Sequence, residues 1–378
     1  MSLEPLKRLR QRFFISRARR PDWVLLLAAA ALSGLGVVMI LNASYFYAVD
    51  HHGDPLVYLR KHLIALCIGG GVLLAISRLR IEAFERLANP LFLFCVAALA
   101  VVMIPGVGVN HGGAQRWIHL GPFNFQPSEI AKTALVLFLA RSIVRRRDQL
   151  GDFAHGLLPH LVVVALYVGF VIVQPDFGTA VILVLVAGMM LYCGGARTTH
   201  LVGLAMIAVP VAILAVVHWP YRLQRVLAFM DPWKYSQPLA YQLWQSLIAV
   251  GSGGLTGVGF GESRQKMFFL PAAHTDFIFA LVSEELGALG ALAVLLLFAI
   301  VAVRGIRVAI RHPDPFGSML AFGLTVVIVM EALVNIGVVL GLLPTKGLAL
   351  PFLSYGGSAL IGTLLQIGIL SSLSRTTG

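Results

Sequence analysis

The chain has 378 residues, of which 58% are hydrophobic and only 12% charged. Soluble domains carry about 25% charged residues, so with a mean hydropathy of +0.86 a soluble enzyme or binding module is excluded. The net charge of +12 does not indicate nucleic acid. The basic residues crowd short loops between apolar segments, where anionic membrane lipids are the natural partner.

In chain order, residues 1–22 form a basic N-terminal segment, "LKRLRQRFFISRARR" at its centre, expected in the cytoplasm. The run from Trp23 to Leu41 can span a bilayer and lacks a small-residue cleavage site, so it reads as a retained helix rather than a signal peptide. About 20 mainly apolar residues make one span. On that measure ten spans are expected, near 23–42, 62–77, 87–104, 127–144, 157–173, 177–193, 199–218, 277–303, 315–341 and 353–373. The fold class is therefore an all-α integral membrane protein, with residues 23–374 as a single polytopic membrane domain. Lipid offers no partners to bare backbone groups, which leaves helices as the expected solution.

Placing the N-terminus inside puts the clusters at Lys7–Arg20, Arg78–Arg86, Arg141–Arg147 and Arg304–Arg311, with Arg197 and Arg375, in the cytoplasm. The other side keeps Arg60, Lys61, Arg116, Arg222, Arg225, Lys234, Arg264, Lys266 and Lys346. That is roughly a two-to-one bias in the expected sense, and an even number of spans leaves both termini cytoplasmic. The external face carries the longer connections. The largest, about 220–273, contains an apolar stretch, Tyr241–Val250, expected as a short helix along or dipping into the membrane. No internal repeat is evident, which weakens an inverted-repeat transporter reading.

Carboxylates in so apolar a chain need reasons. Asp276 opens the eighth span in "PAAHTDFIFALVSEELG". Either it is held by the helix dipole, or it is a functional acid at the external mouth, with His274 beside it. Partial desolvation would oppose the dipole and raise its pKa. Glu284 lies about 80° around the helix from Asp276 and Glu285 about 180°, so Glu284 is expected to line a polar cavity and Glu285 to pair with another helix. Glu129 and Lys132 are spaced i, i+3 and share a face; a buried pair of Lys132 with Asp176, in the turn "QPDFG" beside Gln174, is expected. That group is either a structural ion pair or part of a cavity. Glu331 receives no role. Arg116, beside a tryptophan, is either an interface anchor or, with Arg225 and Lys346, a phosphate clamp. Ser354 in "SYGGS" is a possible cap for the last span. "GVGFG" is no nucleotide fingerprint, because no strand precedes it. The three cysteines show no metal-ligand spacing and read as buried structural thiols.

Taken together, "FNFQPSEIAK", "QPDFGTA", "QSLIAVGSGGLTGVGFGESRQKMFFLPAAHTDFIFALVSEELG" and "LPTKGLALPFLSYGGSALI" resemble the SEDS family (shape, elongation, division and sporulation) of bacterial cell-wall synthesis. The match covers nearly the whole chain in order, and "SRQK" and "PTKG" resemble division-type members more than elongation-type ones. The resemblance implies a ten-helix peptidoglycan glycosyltransferase of the inner membrane that polymerises lipid II, with its essential acid on Asp276. It implies polar outer loops at Arg116, the Glu129–Lys132–Asp176 group and Lys346. It also implies a class B penicillin-binding transpeptidase and other divisome proteins as partners. Flipping of lipid II is the alternative activity. No cofactor is assigned, and a divalent cation, Mg or Mn, is left open.

Overall fold

The computed structural model of the chain describes residues 20–376, apart from 105, 112–113, 121–122, 219, 231–239, 272 and 346. Its helices are α1 (Trp23–His52), α2 (Val57–Ile76), α3 (Ile81–Val102), α4 (Pro127–Arg145), α5 (Leu158–Val173), α6 (Phe177–Gly194), α7 (Thr198–Val217), α8 (Pro220–Met230), α9 (Tyr241–Ser252), α10 (Ile278–Arg311), α11 (Pro315–Val339) and α12 (Gly357–Ser374). Among the described residues, eight helices are long and apolar enough to cross a membrane. The other two of the expected ten are α4 and α7. The 19-residue α4 loses apolarity through Glu129, Lys132 and Arg141, the first two of which are buried in the protein. The 20-residue α7 has no buried side chain among those described, which suits a lipid-facing helix at the rim.

Local chemistry sets several boundaries. Asp22 caps α1, its Oδ1 accepting from the Leu25 N–H at 3.1 Å. α1 runs past the expected residue 42 to His52, where Gly53 takes the left-handed conformation (φ 68°) that ends helices. No breaker interrupts "ASYFYAVDHH". Asp314 caps α11, whose first residue is Pro315. The last span begins at Gly357, four residues later than expected. Ser354 Oγ accepts instead from the Leu350 N–H at 2.8 Å, so this serine closes a turn and does not cap α12.

α11 is the central post: α10, α4 and α6 pack against it, while α12 packs on α2 and α3 on α4. α9 is the short helix expected at 241–250. It packs on α10, with Leu243, Gln245, Ser246 and Ala249 buried and Ser246 Oγ donating to the Val339 carbonyl at 2.8 Å. Cys95 is buried, but Cys67 and Cys193 are exposed, which corrects the expectation of three buried thiols.

The all-helical expectation needs one amendment. Between α3 and α4 lies a three-stranded antiparallel sheet, β1 (Gly108–His111), β2 (Ala114–Leu120) and β3 (Phe123–Phe125). Val109 pairs with Trp117 and Ile118 with Phe125. Gly-Gly and Gly-Pro dipeptides separate three short β-prone runs in the sequence, a hairpin signal that hydropathy alone overlooks.

α10 is broken once. Gly287 has φ 65° and ψ −165°, and its break lets Ala288 and Leu289 N–H groups donate to the carbonyls of Gly254 (2.9 Å) and Leu255 (3.2 Å). Any Cβ at Gly287 would stand 2.3 Å from the Gly257 nitrogen. The glycines of "GVGFG" serve this close approach: Val258 N–H donates to the Glu284 carbonyl at 3.0 Å and Gly259 N–H to that of Glu285 at 3.3 Å.

Candidate active site

Four connections converge at one end of the bundle: β2, the Pro175–Asp176 turn, the segment before α10, and the loop between α11 and α12. They enclose a cavity of about 560 Å³ whose polar lining includes Lys61, Arg116, Gln126, Glu129, Asp176 and Asp276. Sequence separation between these residues reaches across more than half of the chain, so only the fold brings them together.

Asp276 lies just before the start of α10, where Phe277 occupies the cap position. It is half-buried and its carboxylate lines the cavity. The Gly347 backbone approaches so closely that an added Cβ would be 3.4 Å from Asp276 Oδ2. Burial pushes the Asp276 carboxyl up to about 6, against the opposing pull of Arg116 and then Arg225, with Asp176 adding to the rise. Desolvation therefore outweighs the neighbouring cations.

The backbone at Asp276 is held by a residue the sequence reading missed. Asn335 Nδ2 donates to the Asp276 carbonyl at 2.8 Å and to the Leu348 carbonyl at 2.6 Å. One buried amide thus ties the segment before α10 to the loop before α12. The available signal was an amide inside an apolar span, four residues after Glu331 and hence on the same helical face.

Arg116 reaches the site from β2. Its Nε donates to the Gln174 carbonyl at 2.9 Å, a second nitrogen donates to the Pro175 carbonyl, and Nη1 stands 3.8 Å from Asp176 Oδ1. Backbone carbonyls thus hold it in place on the cavity wall. Asp176 caps α6, accepting from the Thr179 N–H at 3.2 Å and its hydroxyl at 3.0 Å. Gln126 Nε2 lies 3.5 Å from Asp176 Oδ2 and also donates to Ser128. Arg225, on α8, has Nη1 3.4 Å from the Thr345 carbonyl and acts electrostatically on Asp276. Lys346 falls outside the described residues, as do Lys234 and the side chain of Arg222. Lys61, on α2, supplies a lining cation that the reading counted as external but did not place.

Several expected site residues take other places. Glu284 does not line the cavity. It is buried, accepting from Ser263 Oγ and from the Arg264 N–H at 3.2 Å, because the glycine-rich loop covers that face of α10. Glu285 pairs as expected with another helix: Asn42 Nδ2 donates to it, and Lys266 Nζ lies 3.5 Å from its Oε1. Lys132 pairs with Glu129 at 2.8 Å and with Glu331, not with Asp176, whose carboxylate is occupied at its own helix cap. Glu331 thereby gains a role as the second counter-charge to a buried lysine. Gln174 points away from the cavity, its Nε2 donating to the Leu99 carbonyl at 2.9 Å. His274 stands in an aromatic wall, with ring centroids 5.0 Å from Tyr58, 5.2 Å from Tyr47 and 5.9 Å from Tyr355. Burial pushes His274 down to about 4 and the Tyr355 phenol up to about 12, so the wall beside Asp276 is neutral.

Among the described residues, no group of three His, Cys, Asp or Glu side chains could hold a metal ion. The site does not by itself fit a divalent cation.

The family model FtsW/RodA/SpoVE, described as a cell cycle protein, matches residues 22–378. The chain is 41% identical over 360 residues to the probable peptidoglycan glycosyltransferase FtsW of Geobacter sulfurreducens, covering 95% of this chain and 96% of that one. It is 38% identical to the stage V sporulation protein E of Bacillus subtilis, covering 94% and 97% respectively. A solved structure described as a peptidoglycan synthase complex that coordinates polymerization and crosslinking is similar, with a TM-score of 0.78 and 29% identity over 94% of this chain and 98% of that one. The crystal structure of the rod shape determining protein RodA of Thermus thermophilus superimposes with a TM-score of 0.70 at 28% identity, covering 94% and 97%. With its span-length helices and this near-complete match, the chain is a multi-pass membrane protein belonging to the FtsW/RodA/SpoVE family.

Proposed function

We propose that this protein is a peptidoglycan glycosyltransferase that polymerises lipid II, with Asp276 as the general base. The observation that carries the reading is a half-buried carboxylate, raised by desolvation, on a polar cavity that also holds Arg116 and Lys61. The donor sugar is α-linked to pyrophosphate and the product bond is β-1,4. A single in-line displacement accounts for that inversion. The acceptor hydroxyl gives its proton to Asp276 and its oxygen bonds to the anomeric carbon. The bond to pyrophosphate breaks, and the leaving group departs with the electron pair.

A carboxyl at about 6 is a stronger base than an ordinary aspartate and is still mostly ionised near pH 7.5. Developing charge on the pyrophosphate would be met by Arg116, which backbone carbonyls hold as a preorganised donor, with Arg225 and Lys346 as further candidate cations. Asn335 is a positioning residue, because it acts through the Asp276 and Leu348 backbones. The Glu129–Lys132–Glu331 cluster closes the site from below as a buried structural ion group. A flippase would need those charges to part, and no observation favours that second reading.

In this reading residues 23–374 form one polytopic domain of the bacterial inner membrane. The cavity end faces the periplasm and both termini the cytoplasm. The relatives named probable peptidoglycan glycosyltransferase FtsW at 41% identity, with the cell cycle description of the family model, support a role in cell division. The similar synthase complex supports a class B penicillin-binding transpeptidase as partner, within the divisome. The test is glycan synthesis from lipid II by the purified protein, alone and with such a transpeptidase. Wild type should make polymer and Asp276→Asn should not; an active Asp276→Asn protein would remove the mechanism.

A further inference from the structure

At the end of the bundle opposite the cavity, the last turns of α10 carry Arg304, Arg307 and Arg311 at i, i+3 and i+7, one face of a helix. With Arg20, Asp22 and Ser374 they line a cavity of about 180 Å³. Four guanidinium groups meet one carboxylate there. Asp22 is already engaged: its Oδ2 accepts from Arg304 Nε at 2.7 Å and its Oδ1 caps α1. Arg304 is thus neutralised. Arg307 and Arg311 are exposed and have no carboxylate partner among the described residues.

The same two arginines also line a second, apolar groove of about 460 Å³, with Ala302, Val303, Ile306 and Ile310. Val303 and Ile310 are 57% and 79% exposed, a high value for side chains with no polar atom, and they continue the exposed face of α10 through Ile300, Leu296 and Leu292. The cationic cavity and the apolar groove therefore adjoin, with Arg307 and Arg311 lining both. That is the shape and charge of an amphiphile with an anionic head.

We propose that this junction is a binding site for an anionic phospholipid. Arg20, Arg307 and Arg311 hold the phosphodiester, and one acyl chain lies in the groove over Val303, Ile306 and Ile310. A zwitterionic lipid would bring an ammonium group into the same cationic cavity and bind worse. Free phosphate would lack the groove. The site lies at the far end of α10 from Asp276, and nothing in its recognition depends on the reaction at the other end.

The test is native mass spectrometry of the full chain released from detergent with added phosphatidylglycerol, phosphatidylethanolamine or inorganic phosphate. Wild type should retain phosphatidylglycerol in preference to the other two. Arg307→Gln/Arg311→Gln, whose side chains are exposed, should melt as wild type does without lipid. At about 1 kcal/mol per surface cation, the double variant should bind phosphatidylglycerol about 30-fold more weakly. Arg307→Lys/Arg311→Lys should recover most of that affinity. Arg146→Gln/Arg147→Gln, an equal loss of charge on a neighbouring connection, should leave it unchanged. The site is refuted by equal retention of phosphatidylethanolamine or inorganic phosphate. It is equally refuted by undiminished phosphatidylglycerol in the Arg307/Arg311 double variant, or by an equal loss in the Arg146/Arg147 control.

Discussion

Replacing Asp276 by Asn should disable the protein and stabilise it at once. Burial lifts the carboxyl from 3.8 to about 6. At about 1.4 kcal/mol per tenfold change, holding that group ionised costs the folded state up to roughly 3 kcal/mol relative to the unfolded chain. Cavity water screens part of this, so about 1–2 kcal/mol should survive. Between pH 3.8 and about 6 the folded state binds more protons than the unfolded one, and stability falls as pH rises through that window. Above it the cost is fully present; below it the cost vanishes. Asn has nearly the same shape and no charge. At pH 7.5 the purified Asp276→Asn protein in detergent should therefore melt a few degrees above wild type, and the difference should close at pH 3.5. Glycan synthesis should meanwhile fall by about 10²–10⁴. A variant that melts at or below wild type at pH 7.5, or a difference that ignores pH, would refute the desolvation of this carboxyl.

Removing Arg116, whose charge lowers the Asp276 carboxyl, as Arg116→Gln should move the acid limb of the pH–rate profile to higher pH; a limb that stays or moves down counts against their coupling. Asn335→Ala leaves two loop carbonyls unpaired and should cost about 1–3 kcal/mol in thermal stability while lowering kcat more than it raises KM; steady-state kinetics with lipid II decide. Lys132→Met strands Glu129 and Glu331 in the protein interior and should cost about 3–5 kcal/mol, part of which Lys132→Met/Glu331→Gln should restore in the same melting assay. Gly287→Ala forces a Cβ to within 2.3 Å of the Gly257 nitrogen at φ 65° and should destabilise by more than about 1 kcal/mol; a neutral result would mean that the α10 break does not need glycine.

Hydropathy alone located the long helices, eight of which are long and apolar enough to cross a membrane among the described residues, because lipid demands long apolar helices and leaves few other choices. It also singled out Asp276, since an acid at the head of an apolar run needs a reason. The partners of each charge were a different matter. Helical spacing put Glu129 and Lys132 together, for a three-residue offset is a local property, but Glu331 lies 199 residues from Lys132 and no local rule connects them. Asp176 was expected to take Lys132; instead its carboxylate caps α6, a local bond that satisfies it without the lysine. The wheel that turned Glu284 toward Asp276 failed for a similar reason: Asp276 precedes the helix, and the face Glu284 shows is covered by a glycine loop from elsewhere in the chain.

What the order of residues determined by itself is the set of helices and the short list of polar groups that lipid would not tolerate without cause. What only the tertiary structure decided is which of those groups are spent on one another and which still face open space. Charges in a low-dielectric interior must be matched by whatever the fold brings within a few ångströms. For Glu331, Gln174 and Glu284 the match is internal, and for the Asp276 carboxylate it is a cavity.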